Sequence, residues 1–162
     1  MIIHVPNKNT LIIDDFKFKC CVGKNGLNFN KKEGDYSTPK GLFNLKKLYF
    51  RKDRVGIPKC KIKKKIITKN MAWCDNPCDK RYNEEIQTHN KYLKEYLYRK
   101  DYKYDYLITI NYNHNKIPNK GSAIFIHLTD NYKATAGCIA LKKKDFEILL
   151  MLIKKNTKIK IG

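Results

Sequence analysis

The sequence predicts a mostly β domain of the α+β kind, and three observations carry that reading. The first half divides into short apolar-rich runs separated by turn formers. The run from Gly121 to Leu128 is nearly continuously apolar. Near the C-terminus, Phe146, Leu149, Leu150 and Ile153 fall at i, i+3, i+4 and i+7, the spacing of one helix face. The chain has 162 residues, no repeat, no linker rich in Pro, Gly or Ser and no composition break, so residues 1–162 read as one domain. That length buries a core without metal or disulfide staples, and eleven Tyr and seven Phe argue against disorder.

Taken in order, Ile2 to Val5, Thr10 to Ile13 and Phe16 to Val22 read as strands, with Pro6-Asn7-Lys8-Asn9 and Asp14-Asp15 as the turns between them. Gly23-Lys24-Asn25-Gly26 ends the third. Within Gly34 to Phe43, Pro39 and Gly41 predict a turn, and Phe43-Asn44-Leu45 resumes as a strand. Over 82–98, Ile86, Leu93 and Leu97 stand seven and four apart, which predicts a helix. Tyr106 to Asn111 and Gly121 to Leu128 are the central strands, the second buried on both faces, joined by the loop Asn113 to Lys120. Ile139-Ala140-Leu141 leads into an amphipathic helix over Lys142 to Lys155, and Thr157 to Ile161 is a short closing strand.

The formal charge is +20, from 35 basic and 15 acidic residues. Such an excess suits a polyanion, but only Arg51, Arg54, Arg81 and Arg99 are arginines. Lys, Ile and Asn, the residues of A/T-only codons, make up 66 of 162 positions, so base bias accounts for much of the charge. A solvated basic surface is the plainer reading. No RNP motif, zinc finger or helix-turn-helix is present, and no nucleic-acid partner is expected. No apolar stretch is long enough to cross a bilayer, and no basic region followed by a long apolar one opens the sequence.

Six cysteines leave the compartment open. Cys20 and Cys21 are adjacent and point opposite ways on a strand. Cys74-x-x-x-Cys78 lacks zinc-ribbon and thioredoxin spacing, so no metal site is expected, while a disulfide and free thiols fit it equally. Among the histidines, His4 lies on a strand near the terminus, His89 stands i+3 from Ile86, and His114 sits in a polar loop. His127 differs, because it ends the apolar run Ala123-Ile124-Phe125-Ile126, where a strand delivers a polar side chain to a cleft. Eleven residues on, Cys138 follows Gly137 in Thr135-Ala136-Gly137-Cys138. A thiol is little ionised at neutral pH and needs an imidazole or a positive environment to become a nucleophile. Gly137 lets the backbone take an unusual conformation, and N–H groups near Gly137 and Cys138 suit an oxyanion. A Cys/His site stands here beside the alternative of a buried structural Cys138.

Three segments, in order, resemble the motifs of the L,D-transpeptidase catalytic-domain family (YkuD type). They are Thr38-Pro39-Lys40-Gly41-Leu42-Phe43, the strand ending in His127 and followed by Thr129, and Thr135-Ala136-Gly137-Cys138. Met71-Ala72-Trp73-Cys74-Asp75, Tyr82-Asn83 and Gly121 to His127 are similar to a bacterial subgroup with a T-x-G-C nucleophile motif, and the resemblance spans nearly the whole chain. Leu128 stands where the family has Gly, Ala136 where it has a second His, and Ala140 where it has Arg, so donor specificity does not carry across.

The resemblance implies a β-sandwich or barrel with one or two helices, and acyl transfer on peptidoglycan stem peptides through a thioester. Cys138 would be the nucleophile, His127 its base, and amides around Gly137 the oxyanion donors. Thr129 and Thr135 would orient His127 or contact substrate, and Trp73 would wall the cleft or simply pack. No cofactor and no metal is needed. An L,D-carboxypeptidase using the same pair and a non-catalytic basic wall- or nucleic-acid-binding module are the alternatives. The substrate places the work in the periplasm or cell envelope, while the absence of a visible signal leaves the cytoplasm open.

Overall fold

The computed structural model describes residues 1–88 and 94–162, so His89 and Leu93 lie outside the described residues. From the N-terminus, β1 (Ile2–Asn7), β2 (Thr10–Ile13) and β3 (Phe16–Lys19) form an antiparallel meander. Alternation buries Ile3, Val5, Leu11, Ile13 and Phe18 on one face. Two short strands, β4 (Leu27–Asn28) and β5 (Thr38–Pro39), then pair in parallel. The turn expected at Pro39 is instead extended chain. The N–H groups of Thr38 and Lys40 bond to Gly26 O and Asn28 O, so proline's missing donor falls where the ladder needs none.

The long β6 (Gly41–Phe50) is followed by α1 (Lys52–Val55), β7 (Lys63–Ile66), β8 (Met71–Cys74), β9 (Glu85–Gln87) and β10 (Lys94–Tyr96). The helix expected over 82–98 is corrected by β9 and β10, which flank β8 in a small antiparallel sheet. Ile86 and Leu97 owe their spacing to two different clusters. Ile86 packs with Ala72 and Cys74, whereas Leu97 packs with Tyr49, Met71 and Leu107.

The chain closes with β11 (Tyr106–Ile110), β12 (Phe125–Leu128), β13 (Ile139–Leu141), α2 (Lys143–Leu152) and β14 (Lys158–Ile161). The main sheet runs β13-β12-β11-β6-β14-β1-β2-β3, with β7 also paired to β6. Its two ends meet, because Cys21, just past β3, exchanges N–H···O bonds of 2.9 Å with Ala140 on β13. The result is a nearly closed barrel, mostly β, with two helices among the described residues.

Each central strand serves two cores. Ile126 and Leu128 on β12 join the main cluster, to which α2 adds Phe146, Leu149 and Leu150. Phe125, just before them in sequence, faces a second cluster with Tyr49, Met71, Tyr104 and Leu107. All four residues of β12 are buried, as the nearly continuous apolar run foretold, although the strand itself begins only at Phe125. Ala123 takes φ +52°, which interrupts the extended chain before it. Cys74 and Cys78, like the other four cysteines, are free thiols. Among the described residues no helix is long and apolar enough to cross a membrane.

Candidate active site

Parallel pairing of β12 with β13 sets His127 opposite Ala140 and Phe125 level with the residue before Ile139, which is Cys138. Cys138 and His127 therefore project from the same face of adjacent strands, and both line one cleft of about 540 Å³. Nδ1 of His127 lies 2.9 Å from Leu128 O. A carbonyl only accepts, so Nδ1 carries the proton and Nε2 is the bare, basic nitrogen. Tyr104 stands edge-on to the imidazole at 5.3 Å and fixes its plane.

The thiol of Cys138 is gripped by the segment before β12. It donates to Ala123 O at 3.2 Å and accepts from Phe125 N–H at 3.4 Å. Burial pushes its pKa up to about 12, against the Phe125 N–H, which favours the thiolate. Burial lowers that of His127 to about 4, with Lys103 and Arg99 adding to the effect and the bond to Leu128 opposing it. The resting pair is a neutral thiol and a neutral imidazole. An imidazole uncharged at neutral pH is free to take a proton.

The turn that carries Cys138 is held by threonines. Thr135 Oγ1 donates to Cys138 O at 2.6 Å and accepts Gly137 N–H at 3.1 Å, so that amide is engaged within the turn. Thr38, fully buried, accepts Gly23 N–H and donates to Gly137 O, both at 2.8 Å. The threonine of the first motif thereby fastens the glycine of the last across 99 residues. Thr129 Oγ1 accepts Tyr132 N–H at 3.1 Å and lies beside the Cys21 thiol. Both Thr129 and Thr135 line the cleft. Trp73, expected either to wall the cleft or simply to pack, does not line it. It stands edge-on behind Phe125 at 5.2 Å and opens on a separate cavity of about 300 Å³.

Several residues beyond those expected from the sequence shape this cleft. Lys31 is buried in its wall, paired with Asp35 at 2.6 Å, and its positive charge favours the Cys138 thiolate. Hydrogen bonds from Lys31 and Ser37 hold the Asp35 carboxyl below its usual range, against the opposing effect of burial. Tyr82 donates to Glu33 and accepts Gly121 N–H, tying the Lys31 loop to the segment before β12. Arg99 and Lys103 bring further positive charge, although Ala140 leaves β13 without an arginine. One lysine among 31 carries no signal of its burial in sequence; the Tyr82-Asn83 dipeptide was the one available hint.

The depressed His127 pKa has a consequence for stability. The unfolded imidazole titrates near 6.5 and the folded one near 4, so the unfolded chain binds more protons between those values. Stability is level with respect to this group above about pH 6.5 and falls as pH drops towards 4, by about 3 kcal/mol in all. Thermal melts at about pH 7 and about pH 4.5 check this. Wild type is expected to lose about 5–10 °C more than His127→Gln over that interval, and equal losses would contradict the assignment.

Among solved structures, the chain is similar to the helical cell shape determining protein Pgp2 from Campylobacter jejuni, with a TM-score of 0.55 at 17% identity over 99% of this chain and 46% of that one. The K307A mutant of Pgp2 gives 0.54 at 17% identity, with the same coverage. Bd1075 of Bdellovibrio bacteriovorus gives 0.51 at 16%, covering 99% of this chain and 47% of that one. These likenesses concern the fold, and this chain spans a little under half the length of each structure. No curated protein sequence matches the chain. Residues 2–161 match the family model of the L,D-transpeptidase catalytic domain (YkuD), and the chain belongs to that family.

Proposed function

We propose that the protein catalyses cysteine-dependent acyl transfer on peptidoglycan stem peptides. The observation that carries this is the placement of Cys138 and His127 on adjacent strands of one cleft, with the imidazole tautomer fixed by Leu128 O. Sγ of Cys138 attacks the carbonyl carbon of the third stem residue, and its proton passes to Nε2 of His127. The C–N bond to the terminal D-alanine breaks as that proton is delivered to the leaving amine. The resulting thioester is opened by an amine of a neighbouring stem, which returns Cys138 to the thiol. Amides of the 137–138 turn face the developing oxyanion, with Cys138 N–H the better placed because Gly137 N–H is engaged by Thr135.

With the thiol pushed up to about 12 and the imidazole down to about 4, a standing ion pair is disfavoured. Proton transfer therefore accompanies attack. Lys31, Arg99, Lys103 and Lys133 line the cleft and suit the carboxylates of a stem peptide. The cell envelope is the compartment this substrate implies.

Incubation of wild type with purified tetrapeptide muropeptides, followed by mass spectrometry, tests the reading. Crosslinked dimers together with released D-alanine are expected. D-Alanine release without dimers would replace transfer by hydrolysis at the same site. Unchanged muropeptides would overturn both.

A further inference from the structure

Asn83 lies in the turn between β8 and β9, 40 positions from Ala123, yet its amide is fully engaged at that segment. Oδ1 accepts two N–H groups, from Trp73 Nε1 at 2.9 Å and from Ala123 at 3.1 Å. Nδ2 donates to Tyr112 O at 2.9 Å and Asn113 O at 3.0 Å. Ala123 has φ +52°, a conformation that costs an alanine about 1 kcal/mol or more and persists only where neighbours impose it. Its carbonyl is the acceptor for the Cys138 thiol, and Phe125 N–H, two residues on, is the donor to the same sulfur. The far end of the segment is tied separately, by Ile110 N–H to Ile124 O at 3.3 Å.

We infer that Asn83 is a positioning residue for the nucleophile: by holding Ala123 in its left-handed conformation it aims the two backbone groups that fix the Cys138 sulfur. This rests on the reading of Cys138 as the nucleophile. Asn83 does not itself line the cleft, whereas Ala123 does, so it acts through Ala123. Its own φ of +59° is one that asparagine and glycine tolerate. Asn83→Gly therefore deletes the amide without imposing backbone strain, which Asn83→Ala would do.

The test combines iodoacetamide labelling, read cysteine by cysteine by mass spectrometry, with turnover of tetrapeptide muropeptides. In wild type the Cys138 thiol, held by Ala123 O and Phe125 N–H, is expected to label slowly. In Asn83→Gly, Cys138 is expected to label at least about tenfold faster while the buried Cys20 and Cys21 stay protected, which separates a released thiol from general unfolding. Turnover is expected to fall at least about tenfold in kcat with KM within about threefold. Trp73→Phe removes the other donor to Oδ1, and its effect on both readouts is expected to be much smaller. Labelling of Cys138 within threefold of wild type in Asn83→Gly would overturn the inference. Equal effects of Asn83→Gly and Trp73→Phe would do so too, since the amide would then act by seating the indole. Labelling requires no peptidoglycan, so a labelling contrast with no turnover in either protein upholds the positioning of the thiol and fails the acyl-transfer reading instead.

Discussion

Cys138→Ala is expected to turn over no tetrapeptide muropeptide above the buffer blank, a loss of about 10⁴-fold or more, while its unfolding free energy stays within about 1 kcal/mol of wild type. The two halves of this expectation have separate causes. Chemically, the neighbouring cleft hydroxyls are poor substitutes for the thiol: that of Thr135 is committed to Cys138 O, that of Thr129 sits at the Tyr132 turn, and that of Ser122 is buried. Structurally, the sulfur contributes one weak donor bond to Ala123 O and one weak acceptor bond from Phe125 N–H, and an alanine methyl still fills most of the site. Cys138→Ser is expected to lose about as much activity, because an alcohol is far less acidic than a thiol and an imidazole held near pKa 4 is too weak a base to make up the difference. Turnover in Cys138→Ala equal to wild type would refute nucleophilic catalysis at this residue.

What could be read ahead of the structure follows from the range over which each signal acts. Alternation in β1, β2 and β14 and the i, i+3, i+4, i+7 stripe of α2 are local, and each element stands within a few residues of its expected bounds. The same logic brought His127 and Cys138 forward, since an apolar strand ending in a histidine and a Gly-Cys turn are both short-range patterns. The region from 52 to 98 was opaque because its strands are only three or four residues long and borrow their order from one another. β7 reads as a bare lysine run, Lys63-Lys64-Lys65, yet an edge strand of exposed lysines is one that avoids pairing with other chains. Ile86 and Leu97 mimic a helical stripe only because two clusters happen to be filled at that spacing.

The supports of the site were harder still. Thr38 meets Gly137 across 99 residues and Asn83 meets Ala123 across 40, and no periodicity connects such pairs. The motif segments mark that these residues matter but not how. The structure supplies the reason in one case: the threonine of Thr38-Pro39 is a bridge between two glycine backbones, Gly23 and Gly137.

That bridge makes Gly137→Ala the substitution with the broadest expected consequence. Gly137 has φ +153°, outside the range favoured by residues with a Cβ, and an added Cβ would lie 2.9 Å from Ser37 O. Neither side can yield. Ser37 is buried, its N–H and Oγ both bond to Asp35, and Asp35 is anchored to Lys31. Behind it, Gly23 packs so closely that a Cβ there would come within 2.9 Å of Ser37 C, so the 35–38 segment is wedged between two glycines. The strain is therefore relieved by displacing the 135–138 turn, with a stability cost of about 2–4 kcal/mol. Displacement of Cys138 by even about 1 Å withdraws its sulfur from Ala123 O and Phe125 N–H, for an expected loss of at least about 100-fold in kcat. Urea denaturation and muropeptide turnover, measured on the same preparation, check both parts. A Gly137→Ala protein with wild-type midpoint and turnover would show that the turn tolerates a side chain, and the wedge between Gly23 and Gly137 would then have no part in holding the nucleophile.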